Sequence, residues 1–87
     1  MISFNKWSRE RISQNRKFAT TRDKVYNDKC VLGVVRLPLW FVKQHLWRIE
    51  GAYSPEEFEK VWRKIHRGQF EADKSYYVHF GNFAENL

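Results

Sequence analysis

The run "CVLGVVRL", Cys30 to Leu37, is mostly β-branched and apolar, and it predicts a strand. Its near-continuous hydrophobicity predicts burial on both faces. Gly33 inside it marks a bulge or a barrel corner, and Pro38 ends it. On the C-terminal side, "LWFVKQHLWRIEG" places Leu39, Val42, Leu46 and Ile49 at partial helical spacing, with Gly51 as a stop, and predicts a short helix. "YSPEEFEKVWRKIHRG" is the best-specified element. Ser54 is the N-cap, Pro55 takes the first helical position and Glu57 completes a capping box. Tyr53 and Phe58 are placed to form a hydrophobic staple across that cap. Phe58, Val61, Trp62 and Ile65 make one apolar stripe, and Gly68 stops the helix.

On the N-terminal side, "FATTRDKVY" reads as a strand and "NDK", 27–29, as a turn. Before them, Phe4, Trp7, Arg11 and Ile12 sit near helical spacing, with Ser3 as N-cap and Asn15 closing the helix in the left-handed conformation. "SYYVHFGNF" closes the chain as a strand in which Tyr76, Val78 and Phe80 alternate with Tyr77, His79 and Gly81. The predicted order is helix, strand, strand, helix, helix, strand. This is an α+β domain over residues 1–87, its small sheet partly closed into a barrel that protects the edges.

Composition narrows the function classes. A chain of 87 residues buries about 60% of its unfolded surface, so its core is small. Four Trp, four Tyr and seven Phe offset the length and argue against disorder. One cysteine, Cys30, excludes an intrachain disulfide framework and points to a reducing compartment. Three scattered histidines match no zinc spacing, and His45, His66 and His79 receive no role. No metal, cofactor or membrane is expected, and the chain reads as a soluble cytoplasmic protein. Residues 1–29 carry eight Lys/Arg against three Asp/Glu, while residues 30–87 carry eight against seven. The basic excess is therefore N-terminal, where a polyanion would meet it first.

No glycine-rich phosphate loop, HExxH or serine–histidine elbow is present. The residues left to carry chemistry are Lys17, Thr20, Arg22 and Glu50. The run "NRKFATTR", Asn15 to Arg22, resembles the G-x-K-T-x-T-x-R strand of the ASCH domain family, a branch of the PUA-like superfamily of small β-barrels. Lys17, Thr20 and Arg22 match; Asn15 stands for the usual glycine and Phe18 for the first threonine. "EGAYSPEEFEKVWRKIH" resembles the family's E-G-x-x-S-x-E-E-F segment, and "YYVHFGNF" its closing strand. The family's G-D-x turn and following strand are missing here, so the chain looks like a shortened member, with a barrel or a partly open sheet flanked by helices.

The resemblance implies an RNA- or nucleotide-binding module with a basic cleft formed by Arg16, Lys17, Thr20, Arg22 and Lys24. One subgroup of small members hydrolyses N4-acetylcytidine. The resemblance to it implies Lys17 as proton acceptor, Thr20 as nucleophile and Glu50 as proton donor. The residue types suit the task. A threonine hydroxyl needs a base, and a lysine serves when its pKa falls. Within a regular strand Lys17 and Thr20 face opposite ways, so the enzyme reading requires Lys17 to lie in the helix-to-strand turn. Each residue also has a plain reading: Lys17 as an exposed cation or phosphate contact, Thr20 as an ordinary strand residue, Glu50 as part of a turn. Trp7 and Trp62 belong to core stripes. Trp40 and Trp47 are free to stack on a base or to dock a partner, the latter giving a third reading as an interaction module, monomeric or weakly dimeric.

Overall fold

The computed structural model describes residues 2–87. Helix α1 spans Lys6–Ser13, strand β1 Ala19–Arg22, strand β2 Val31–Pro38, and helix α2 Leu39–Phe41. A π-helical stretch, Val42–Leu46, continues α2. Helix α3 spans Pro55–Ile65, strand β3 Ser75–Gly81, and a 3₁₀ turn Ala84–Asn86 ends the chain. The three strands form an open antiparallel sheet in the order β1-β3-β2. The element order is the one the sequence predicts. The sheet is the partly open alternative, with β1 and β2 at its edges.

Local chemistry explains the helix ends. The first helix is capped by Asn5, whose side chain accepts from the Ser8 N–H at 2.8 Å; Ser3 does not cap it. An Asn at this position has the reach and acceptor that the cap needs, two residues further along the chain than Ser3. Asn15 takes the left-handed conformation with φ 58°. Its N–H bonds to the Ile12 carbonyl at 3.0 Å and that of Arg16 to the Arg11 carbonyl at 2.9 Å. This pair of bonds is a Schellman closure. Ser54 caps α3 by accepting from the Glu57 N–H at 3.0 Å. The Glu57 carboxylate reaches back to the N–H of Tyr53 at 2.7 Å, one residue before the cap. Tyr53 is 57% exposed and forms no staple with Phe58; two arginines occupy its ring instead.

The main core gathers Ala19, Leu39, Val42, Ala52, Phe58, Trp62, Tyr76 and Val78 between the sheet and the helical segments. A second, smaller core joins Ile2, Ile12, Cys30 and Phe83 at the other end. β1 is shorter than the predicted strand and stops at Arg22. Tyr26 is instead held by His79, whose Nε2 accepts the Tyr26 N–H at 2.9 Å. That assignment leaves the proton on Nδ1, which donates to the Tyr77 carbonyl at 3.1 Å. His79 is fully buried, so this histidine has a structural duty the sequence did not suggest.

β2 carries the predicted irregularity: its register against β3 slips between Val31 and Gly33, and Leu32 is the extra residue of a bulge. The predicted burial on both faces is overturned. Leu32 is 85% exposed and Val35 47%. β2 is an edge strand, and a three-stranded sheet of this size has too few elements to cover it on both sides.

Candidate functional site

The Schellman closure turns the chain so that residues 16–18 pass beside residues 48–50. The N–H groups of Phe18 and Ala19 both donate to the Ile49 carbonyl, at 2.7 and 3.0 Å. Gly51, φ 103°, lets the helical segment end beneath this strand entrance. A Cβ at Gly51 would stand 2.9 Å from the Arg11 Cβ and 3.1 Å from the Lys17 Cβ, so the close approach needs glycine. Arg11 locks the contact by donating to the Gly51 carbonyl at 3.0 Å and to both Glu57 oxygens. Lys17 therefore precedes β1 and lies in the helix-to-strand turn, the position the enzyme reading requires.

Lys17 and Glu50 are each 4% exposed. The Lys17 ammonium donates to Glu50 Oε1 at 3.2 Å and to the Glu50 carbonyl at 2.9 Å. The second carboxylate oxygen accepts from Thr21 Oγ1 at 2.6 Å. Thr20 makes a different contact: its hydroxyl accepts from Arg22 Nε at 3.3 Å. Arg22 also donates to the Ser3 carbonyl at 2.8 Å, and its guanidinium lies over the rings of Phe4 and Tyr26. Burial pushes the Lys17 amine below its usual pKa, and Arg22 adds repulsion, while Glu50 opposes both.

These groups line one cavity of about 580 Å³. Lys17, Thr20, Thr21, Arg22 and Glu50 form its polar wall; Trp7, Phe58, Trp62 and Tyr76 form its aromatic wall. Trp62 stacks flat on His66 at 4.0 Å and meets Tyr76 edge-on at 5.0 Å. The volume falls within the range of small-molecule sites, roughly 300–1,000 Å³. Arg16 and Lys24 do not line it. Arg16 lies over Tyr53 and Lys24 over Tyr26.

The sequence-predicted Lys17, Thr20, Arg22 and Glu50 thus meet in one place. Thr21 was not singled out, because nothing in a threonine pair says which hydroxyl meets the carboxylate. The apolar stripe of α3 does more than pack the core: Val61 and Ile65 line the cavity along with Phe58 and Trp62. Among the described residues no group of three His, Cys, Asp or Glu side chains is placed to hold a metal ion. No helix among them is long and apolar enough to cross a membrane. No family model, curated protein or solved structure matches the chain.

Proposed function

We propose that the chain is an amidohydrolase acting on N4-acetylcytidine-type nucleosides, a shortened ASCH member of the PUA-like superfamily. The observation that carries the reading is the meeting of Lys17, Thr20 and Glu50 at one aromatic-walled cavity. Thr20 Oγ attacks the acyl carbonyl and its proton passes to the Lys17 amine. Arg22 Nε already donates to that hydroxyl oxygen and so favours the alkoxide as it forms. Collapse of the tetrahedral intermediate breaks the C–N bond, and the leaving amine takes a proton from Glu50. Water then hydrolyses the Thr20 ester.

The buried pair suits both proton steps. Lys17 and Glu50 share a hydrogen bond and one exchangeable proton. Passing that proton from the Lys17 ammonium to Glu50 turns the resting ion pair into an amine and a carboxylic acid, a base and an acid side by side. The motif residues of the resemblance supply the roles.

Incubation with N4-acetylcytidine, with cytidine read by chromatography, tests this. Turnover is expected in the wild-type chain and absent in Thr20→Ala, which leaves the Lys17–Glu50 pair in place. A second reading, an RNA-binding module without chemistry, is favoured by the basic excess of residues 1–29. No turnover at high enzyme, together with salt-dependent RNA binding lost in Arg22→Ala, would select it.

A further inference from the structure

The two edges of the sheet differ. β1 is buried at Ala19, Thr20 and Thr21 and half-buried at Arg22, whereas Leu32, Gly33, Val35 and Arg36 of β2 are exposed. An open edge presents unpaired N–H and C=O groups, which natural proteins guard with lysine, proline or a bulge. β2 has its bulge at Leu32 and its proline at Pro38, one at each end. Between them, residues 33–37 hold a single charge, Arg36.

Residues directly opposite each other in an antiparallel pair share a face. Val35 lies opposite Val78 and Leu37 opposite Tyr76, so Val35 is on the core side. Val78 is fully buried, yet Val35 is 47% exposed. The core layer thus continues past β3 and runs out of cover at β2. Arg36 lies opposite Tyr77 on the other face, its guanidinium 5.7 Å over that ring. It has no carboxylate partner among the described residues.

A strand added beside β2 alternates between these faces. On the core side it meets Val35 and calls for an apolar residue; on the other it meets Arg36 and calls for a carboxylate. A second copy of the chain fits poorly. It carries a further net charge of +6, and its own β2 holds no carboxylate to set against Arg36. The first and last described segments are held elsewhere, Ile2 on Asp28 and Asn86 on Ile2. A nucleic acid would engage Arg36 and leave Val35 and the backbone row unused. We propose that β2 is a docking edge for an extended acidic segment of another protein, one that alternates carboxylate and branched apolar side chains and joins the sheet as a fourth strand. No residue of β2 lines the cavity, so docking there needs no reaction in it.

The probe is a labelled, end-blocked peptide alternating glutamate and valine over eight residues, the length of β2. With the full chain, fluorescence anisotropy should report binding, and amide hydrogen exchange should slow across β2 and not across α3. Arg36→Glu is expected to weaken binding about tenfold, since an attraction becomes a like-charge contact. The same variant should bind a lysine–valine peptide more tightly than wild type does. Lys60→Glu makes the same charge change at an exposed position of α3 and should alter binding less than about twofold. Absence of binding by the wild-type chain, equal losses in the two variants, or slowed exchange away from β2 would overturn the proposal. So would equal binding of a peptide with its glutamates and valines in separate blocks. Exchange at β2 that slows with rising protein concentration and no peptide would assign the edge to a second copy. Equal protection by a single-stranded RNA octamer would assign it to nucleic acid. Either result also overturns the proposal. Melting curves check the fold; if Arg36→Glu does not fold, Arg36→Gln carries the same expectation with a smaller loss.

Discussion

Lys17 and Glu50 form an ion pair whose side chains are 4% and 5% exposed. Such pairs are weak sources of stability, because desolvation offsets the attraction, yet breaking one leaves a buried orphan charge. Lys17→Met is therefore expected to cost about 3–5 kcal/mol in urea unfolding. Lys17→Met/Glu50→Gln should recover much of that loss, since no charge stays stranded. The pH dependence has a definite sign. Between its lowered folded pKa and the ordinary 10.5, Lys17 binds fewer protons in the folded than in the unfolded chain. Its contribution to stability therefore rises with pH across that window and levels off above 10.5. The difference in unfolding free energy between wild type and Lys17→Met should grow as pH is raised through it. At this scale the sequence was informative about residue type and silent about pairing. Lys17 and Glu50 stood out as ionisable candidates, but the hydrogen bond from Thr21 to Glu50 depends on how β1 twists past residue 50.

At the scale of elements, two backbone devices build the site. The Schellman closure after α1 was readable from Asn15, because few residues accept the left-handed conformation there. Gly51 was readable as a helix stop, but its second duty was not. Its hydrogen sits against the Cβ atoms of Arg11 and Lys17, contacts made across 40 and 34 positions of chain. Gly51→Ala is expected to destabilise by more than about 1 kcal/mol, from strained φ and crowding together. In a domain of this size each kcal/mol lowers the melting temperature by about 4–8 °C. Because Lys17 must shift to make room, turnover should fall as well. Gly33→Ala is the contrast. A Cβ there meets nothing within 4 Å, and a melting temperature within about 2 °C of wild type is expected. The exposed β2 shows the limit of pattern reading. A run of β-branched residues reports strand propensity, and burial follows only where other elements exist to cover it.

For the whole molecule, Asp28 ties distant parts of the chain. Its Oδ2 accepts from the Ile2 N–H at 3.0 Å and the Asn86 amide at 3.2 Å, while Oδ1 accepts from the Cys30 N–H at 3.0 Å. The backbone N–H groups of Cys30 and Ile2 hold its carboxyl down to about 2. A depressed carboxyl stabilises the fold above its unfolded pKa of 3.8 and loses that contribution as pH falls toward about 2. Acid titration followed by circular dichroism should show this loss in the wild type. Asp28→Ala should be less stable at neutral pH and should approach wild type below about pH 2. By itself, the sequence determined the α+β class, the element order, the capped helix α3 and the residue types of the site, because each depends on neighbours within a few positions. The tertiary structure decided which hydroxyl meets Glu50, that Arg16 faces away from Lys17, that the apolar side of α3 lines a cavity, and that β2 stays open. Those outcomes depend on which segments meet across the fold. Propensity and periodicity carry no record of such meetings, since the same local pattern suits a buried wall, a ligand cavity or an uncovered edge.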